Sequence, residues 1–333
     1  MATKLGINGF GRIGRYLVRL LEQQSDLEIA VINARAANSD LAHLLKYDSV
    51  HGKFPGEVSY NDEGIVVNGK TIPVTRKPIG EWDWADYGVD IAVETTGKVK
   101  DRDGLAKHLE RGAKKAVNSA PAKNADITIV MGVNHQDYNP AKHQVISAAS
   151  CTTNCMGPAT KIIHDKFGIK SGLMTTIHAY TMSQRILDGS DKDLRRGRAA
   201  AMSLIPTSTG AARAIGLVIP ELKGKIDGMA VRVPTPDGSL VDVVFELESQ
   251  TTAEEVNAAL KAAAAGPMHG FMGYSEEPLV SVDYIGDTHG GVVDGLCTNV
   301  IGGNLLKLLV WYDNEAGFTN QLVRLLNMVA KSL

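Results

Sequence analysis

Charge imbalance is nearly absent from this sequence. Lys and Arg number 35 against 37 Asp and Glu, a net charge of -2, so no global field draws the chain toward nucleic acid or an anionic membrane. Long apolar runs are missing as well, which excludes a membrane-spanning helix, and the opening "MATKLGINGFG" carries no apolar core of a secretory signal. Cysteine is scarce. There are 3, an odd number, with two of them in one short motif. That argues against a disulfide framework and for a reducing, cytoplasmic setting with a reactive or buried thiol. No second Cys or His pair stands at zinc-like spacing, so no metal is expected. Repeats, low-complexity tracts and long linkers are lacking too. What remains is a chain of 333 residues, 44% hydrophobic and 22% charged, ordinary for a soluble globular protein and long enough for two domains.

The first half reads as a nucleotide-binding sheet. "KLGINGFGRIGRYLVRLLE" begins as a short apolar strand and passes through Gly9, Gly11 and Gly14 in G-x-G-x-x-G spacing. It continues as a helical pattern with Ile13, Leu17, Leu20 and Leu21 on one face. The first glycine permits a tight turn, the second lets backbone approach a pyrophosphate, and the third lets helix pack on strand. The phosphates then meet the free N–H groups of a helix N-terminus. A second strand, 27–33, follows at the right distance. "GIVVNGKTIPV" predicts a hairpin around Asn68-Gly69. "VDIAVETTG" predicts a buried strand, and the helix after it closes at Gly112. "KKAVNSAPA", "DITIVMGVN" and "HQVISAAS" read as three more short strands. Ligands of an open parallel sheet sit beyond the C-terminal strand ends, so Thr96, Gly97 and Ser119 are candidate cofactor contacts; the alternative is polar loop residues without a ligand.

"SAASCTTNCMGPATKIIHDKFG" brings in chemistry. Cys151 falls just after a strand and at the start of a helical segment, where the dipole and free N–H groups stabilise a thiolate nucleophile. Cys155, one turn inward, reads as a buried neighbour, and Cys297 as an ordinary buried thiol. The base candidate is His178, at the end of the β-branched run "GLMTTIHAYT". Anion-binding features surround them. Arg195, Arg196 and Arg198 cluster in "KDLRRGRAA". Thr207, Ser208, Thr209 and Gly210 open a probable helix, and Arg232 ends a strand. Plainer readings are a solvated basic face, an N-cap and an ion pair. The basic run has no interleaved aromatics, against nucleic-acid binding.

Taken in order, "INGFGRIGR", "SAPAKN", "SCTTNC", "TTIHAYT", "STGAA", "RVPTP" and "WYDNEAGF" resemble the phosphorylating glyceraldehyde-3-phosphate dehydrogenases of the bacterial type, from about residue 3 to the C-terminus. The resemblance implies an α/β fold: a Rossmann-type dinucleotide-binding domain over 1–150, with the C-terminal helix 314–333 packing back on it, and an α+β catalytic domain over 151–313 with a mostly antiparallel sheet. It implies a homotetramer acting on a small-molecule substrate and inorganic phosphate. Cys151 would attack the aldehyde, His178 would activate the thiol, and phosphate would cleave the resulting thioester. The substrate phosphate would meet Thr181, Arg196 and Arg232, and inorganic phosphate would meet Ser150, Thr152, Thr209 and Gly210. Arg12 and Ile13 match contacts near the pyrophosphate, Arg76 and Ser119 further cofactor contacts, and Asn314 the contact to the nicotinamide carboxamide. Three positions depart from the pattern. An alanine precedes the Ala-Ser-Cys triplet where asparagine is usual, Phe318 replaces a tyrosine near the nicotinamide, and Ala316 replaces a bulkier residue. The related erythrose-4-phosphate and semialdehyde dehydrogenases fit the motifs less well. A non-catalytic dinucleotide-binding scaffold predicts loss of Cys151 or His178, and both are present.

The cofactor itself is read from "INARAANSD". A Rossmann site usually places an acidic residue about twenty positions past the glycines, where it binds the ribose hydroxyls and repels a 2′-phosphate. Members of the family that use NAD carry aspartate directly after the Asn matching Asn33. Here Ala34 stands there and Arg35 follows, which removes the repulsion and offers a phosphate partner. Gly189 and Ser190 likewise resemble the NADP-accepting relatives, with Ser190 expected near the adenosine of a neighbouring subunit. The expectation is therefore NADP or NAD, with NADP favoured and a biosynthetic direction suggested. The alternative is a neutral Ala34 with Arg35 pointing to water.

Overall fold

A computed structural model describes residues 2–22 and 26–333. The chain divides into two compact units. Unit 1 comprises Met1–Ile129, His135–Ala149 and Leu322–Leu333, and unit 2 comprises Val130–Asn134 and Ser150–Gln321.

Unit 1 begins with β1 (Thr3–Asn8), α1 (Arg12–Leu21), β2 (Leu27–Asn33), α2 (Asn38–Lys46) and a minor hairpin, β3 (Tyr47–Asp48) and β4 (Gly52–Lys53). It continues through β5 (Val58–Tyr60), β6 (Gly64–Val67), β7 (Lys70–Thr75), β8 (Ile91–Glu94), α3 (Arg102–Glu110), β9 (Lys115–Asn118), β10 (Ile127–Thr128) and β11 (Val145–Ser147). Nine strands form one sheet in the order β10-β11-β9-β8-β1-β2-β7-β6-β5. From β10 to β7 neighbouring strands are parallel, and β5 to β7 form an antiparallel meander. Parallel strands covered on both faces need continuous apolar runs, and β1 supplies one, with Leu5 and Ile7 fully enclosed. The order reverses at β1, which opens a crevice beyond the C-terminal ends of β1 and β8. The β6–β7 hairpin turns on Asn68 and Gly69, with φ of 48° and 81°, the left-handed pair that a two-residue turn requires. Gly112 follows α3 at φ 105°.

Unit 2 contains α4 (Cys151–Phe167), β12 (Ile169–Ala179), β13 (Ile205–Ser208), α5 (Ala211–Val218), β14 (Ile226–Val233), β15 (Ser239–Leu247) and α6 (Ala253–Ala265). After these come β16 (Met272–Ser275), β17 (Gly291–Asp294), β18 (Asn299–Ile301) and β19 (Leu305–Tyr312). Its sheet runs β13-β14-β12-β15-β19-β17-β16, with β18 on β19. Most pairs are antiparallel, while β12–β14 and β16–β17 are parallel. The last helix, α7 (Ala316–Ala330), is divided between the units at Gln321 and Leu322. Helix α4 is the core element of unit 2. Ser150 caps it, its Oγ accepting the Thr153 N–H at 3.1 Å, and Thr152 to Thr160 are all buried. An apolar-faced surface helix would show one buried stripe; this one is enclosed all round over 152–160, and only its end, at Asp165 and Lys166, is exposed.

Candidate active site

In unit 2 the nucleophile candidate and its base meet. Cys151 Sγ lies 3.4 Å from His178 Nε2. The meeting follows from two placements: Cys151 opens the enclosed helix α4, and His178 sits one residue from the end of β12. Parallel pairing of β12 with β14 sets Arg232 directly beside His178. An Arg232 guanidinium nitrogen is 2.6 Å from His178 Nδ1 and donates to the Ala179 carbonyl at 2.9 Å. Tyr312 presents its ring edge-on to the imidazole, with centroids 5.9 Å apart at 85°. Its hydroxyl is held at 2.9 Å by Thr152 and 2.8 Å by Thr176.

These distances decide a tautomer. A guanidinium only donates, so with Arg232 in place His178 Nδ1 is an acceptor and the ring proton sits on Nε2, aimed at the sulfur. If Arg232 turns away, Nδ1 can instead donate to the Ala179 carbonyl 2.7 Å away, and Nε2 becomes free to take a proton. Burial, followed by the Arg232 charge, holds the His178 pKa down to about 3. Burial likewise pushes the Cys151 thiol above its ordinary value, while Arg232 and the Thr152 N–H pull it back. Burial thus opposes ionisation of both groups, while the helix start and the Arg232 charge favour a thiolate.

A second cation, Arg196, acts on Arg232. Burial lowers the Arg232 pKa, and the Arg196 charge acts in the same direction; such a pair favours an anion. Arg196 is steadied by the Thr207 hydroxyl at 2.7 Å. Thr209 Oγ1 accepts the Ala211 N–H at 3.2 Å, and Gly210 caps α5 with no side-chain bond to its first turn. The Ser150 hydroxyl is 2.7 Å from that of Thr153, and the Thr181 hydroxyl is 2.9 Å from that of Ser183. Thr152 turns inward to Tyr312. Asn314 is buried, its Oδ1 accepting from Ser239 at 2.6 Å, and Phe318 is enclosed. Ser190 lies in an exposed loop, its carbonyl held by Arg185 at 2.8 Å. Cys155 is buried as expected, but Cys297 is exposed, contrary to the sequence reading. It lies on the turn that Asp294 caps after β17, and its apolar neighbour Leu296 is exposed on the same turn.

In unit 1 each glycine of the fingerprint meets a different demand. Gly9 has φ 105°, and a Cβ there would lie 2.9 Å from Thr95 and Thr96. A Cβ on Gly14 would lie 2.4 Å from the Gly9 carbonyl oxygen, whereas one on Gly11 would meet nothing within 4 Å. Gly11 is also the N-cap of α1 and makes no side-chain bond to it, and the dipole of a helix N-terminus favours an anion. Arg12 forks onto Asp48 at 2.5 and 2.9 Å, and Ile13 is half-buried. Thr96 donates its N–H to Glu94 at 2.7 Å, Gly97 has φ 66°, and the Ser119 N–H reaches the Glu94 carbonyl at 3.0 Å. These loops fit a dinucleotide: open space at Gly11, a helix start with no side-chain cap, and three strand ends around them.

At the end of β2, Ala34 is buried and its N–H bonds to Thr75. Arg35 is exposed and makes no hydrogen bond or ion pair among the described residues. Arg76 crosses to the same loop, donating to the Ala36 carbonyl at 2.9 Å and to Asn38 Oδ1 at 2.7 Å. Helix α2 starts there on Ala37, again with no side-chain cap.

Comparison with known families identifies both halves. Residues 3–102 match the family described as "Glyceraldehyde 3-phosphate dehydrogenase, NAD binding domain". Residues 150–314 match "Glyceraldehyde 3-phosphate dehydrogenase, C-terminal domain". The chain is 57% identical to "Glyceraldehyde-3-phosphate dehydrogenase" of Geobacillus stearothermophilus, over 99% of both chains. It is 56% identical to "Glyceraldehyde-3-phosphate dehydrogenase 1" of Bacillus cereus, over 97% of both, and of Bacillus subtilis (strain 168), over 99% of both.

Proposed function

The chain belongs to the glyceraldehyde-3-phosphate dehydrogenase family, and we propose that it oxidises and phosphorylates D-glyceraldehyde 3-phosphate to 1,3-bisphosphoglycerate, reversibly, accepting NADP in preference to NAD. The observation that carries the chemistry is Cys151 Sγ at 3.4 Å from His178 Nε2, with Arg232 behind the imidazole.

Cys151 attacks the aldehyde carbon, forming a C–S bond as the thiol proton passes to His178 Nε2. That transfer uses the tautomer with Nδ1 bonded to Ala179, which Arg232 permits when it swings onto the substrate's phosphate. The protonated Nε2 then donates to the thiohemiacetal oxygen. The bound dinucleotide supplies the acceptor for the hydride that leaves the former aldehyde carbon, and a thioester remains on Cys151. Inorganic phosphate adds to the thioester carbonyl, and the C–S bond breaks to return the thiolate, which regains its proton. Arg196, Arg232 and Thr181 are proposed to hold the substrate phosphate. Ser150, Thr152, Thr209 and Gly210 are proposed for the attacking phosphate. Gly9, Gly11, Arg12, Ile13 and Gly14 would face the pyrophosphate, and Asn314 with Phe318 the nicotinamide. No turnover with either cofactor, followed by absorbance of the reduced nicotinamide, would sink this reading. Rates with erythrose 4-phosphate equal to or above those with the triose would favour that relative instead.

NADP preference is supported by the loop after β2: no carboxylate follows Asn33, Arg35 is uncommitted, Arg76 stands beside it, and α2 begins uncapped. A charge-assisted bond to a 2′-phosphate contributes roughly 1.5–3 kcal/mol, about tenfold or more in affinity. Arg35→Ala is therefore expected to lower kcat/KM for NADP about tenfold and leave that for NAD within a factor of about two. A wild-type kcat/KM for NAD far above that for NADP would overturn the preference.

A homotetramer is the proposed assembly. In unit 2, Met182, Ile186, Leu187, Leu194, Met202 and Leu204 are 70% exposed or more, large apolar side chains of the kind that an interface between subunits covers. Light scattering at micromolar concentration is expected to return four times the chain mass, and a monomer mass would refute it.

A further inference from the structure

Four strands of unit 1 end on polar side chains in one register. Asn33 of β2 pairs with Asn8 of β1, Asn8 with Glu94 of β8, and Glu94 with Asn118 of β9. Register partners in a parallel sheet share a face, so one polar row crosses the sheet beneath the loops carrying Gly9, Ala34 and Thr96. Glu94 is 0% exposed. A buried carboxylate is costly unless every acceptor site is used, and the chemistry at Cys151 makes no use of this one.

The direction of the hydrogen bonds can be read from one end. An indole N–H only donates, and that of Trp82 meets Asn8 Oδ1 at 3.1 Å. Asn8 Oδ1 also accepts from Asn33 Nδ2 at 2.8 Å, which leaves Asn8 Nδ2 to donate to Glu94 Oε2 at 2.5 Å. Asn33 Oδ1 is thereby aimed at the Thr75 hydroxyl and the Lys77 N–H, at 3.0 and 2.8 Å. On the other side the Trp84 indole donates to His108 Nδ1 at 2.9 Å. The His108 proton is therefore on Nε2, 3.3 Å from Glu94 Oε2. Thr96 completes the set, its N–H at 2.7 Å and its hydroxyl both donating to Glu94 Oε1. Every neighbour presents a donor, and the acceptor-only carboxylate is the form that satisfies them all.

We propose that Glu94 is a positioning residue for the dinucleotide, joining the loops after β1, β2 and β8 into one cradle through Asn8, Asn33 and Thr96. It rests on the reading of unit 1 as a dinucleotide site. The carboxylate touches no ligand. It fixes which way the amides and the Thr96 backbone face, and with them the three loops that close on adenosine and pyrophosphate.

Glu94→Gln tests this, because it keeps the shape and brings an amide N–H that must face one of four donors. Calorimetric titration with NADPH and NADH is expected to show Kd rising tenfold or more. KM for the cofactor should rise in step, kcat at saturating cofactor should stay within threefold, and the alkylation rate of Cys151 by iodoacetamide should be unchanged. Asn8→Asp combined with Glu94→Gln exchanges carboxylate and amide, and is expected to recover part of the lost affinity. An unchanged Kd in folded Glu94→Gln, a fall in kcat at unchanged KM, or a double variant no better than the single one would each overturn the proposal. Should Glu94→Gln not fold, Trp82→Phe removes the donor that orients Asn8 while keeping an aromatic ring against His108. A threefold or larger rise in Kd is then expected, and no rise overturns the proposal. Wild-type protein that binds neither nucleotide refutes the dinucleotide reading itself, before any substitution is made.

Discussion

Serine in place of Cys151 is expected to reduce kcat/KM for the oxidation by about four orders of magnitude or more, the scale on which loss of a covalent nucleophile is felt. The hydroxyl would occupy nearly the same place, at the first position of α4 just ahead of its buried stretch, so binding of the triose and of the dinucleotide should survive. What disappears is the ability to form the acyl intermediate. A hydroxyl gives up its proton far less readily than a thiol, and the neighbouring imidazole is a weak base here, its pKa held near 3 by burial and Arg232. Two measurements check this: steady-state rates with NADP, and mass spectrometry of the protein quenched during turnover without phosphate. The second should show an added acyl group on the wild type and none on Cys151→Ser. Residual activity above about one percent would be incompatible with direct attack by Cys151.

Asparagine at position 178 should cost about 10²- to 10⁴-fold in kcat, the usual range for a positioned acid–base group, with KM for the triose little altered. The pH behaviour separates this from mere disturbance. The His178 ring titrates near 3, so it stays neutral from pH 5 to 9 and cannot produce a step in that range. The thiol of Cys151 has its pKa raised by burial. An acid with a raised pKa is less ionised at any given pH, so its thiolate fraction keeps growing as pH increases. Alkylation of wild-type Cys151 by iodoacetamide should therefore climb about tenfold per pH unit from 7 toward 9 without levelling off. A plateau beginning below pH 7 would mean a preformed thiolate–imidazolium pair and would refute the expected rise.

Sequence alone exposes the parts of this site that depend on local rules. The three glycines at 9, 11 and 14, the Asn68-Gly69 turn and the cysteine at a strand-to-helix junction each carry their meaning within a few residues, and each is found in the corresponding element. Partners set by strand register are not readable in this way. His178 and Arg232 are 54 positions apart, and nothing in "TTIHAYT" or "RVPTP" says that their strands run parallel in a sheet that is otherwise mostly antiparallel. Tyr312, which anchors Thr152 and flanks the imidazole, escapes notice for the same reason. Glu94 is visible in "AVETTG" only as a charge interrupting a buried strand, and of its four donors two come from Thr96 nearby and the others from Asn8 and His108 on separate elements. That interruption was the one available signal: a carboxylate inside an apolar run is expensive enough to imply a designed set of partners. Cys297 misleads in the opposite direction, because apolar neighbours in sequence do not bury a residue that sits on a turn.

The enclosure of α4 has a consequence for the entropy of the reaction. A nucleophile on a loop samples many positions, and part of every encounter is lost to bringing it into line. Cys151 opens a helix whose next nine residues are buried, and its backbone is joined through Ser150 to Ala149, which is held at φ 58°, a conformation few side chains tolerate. The thiol has almost no search to make. Conformational freedom that was surrendered once, when the chain folded, does not have to be surrendered again at each turnover. Motion in the reaction is left to the substrate, its phosphate and the long side chain of Arg232, while the sulfur stays where the helix puts it.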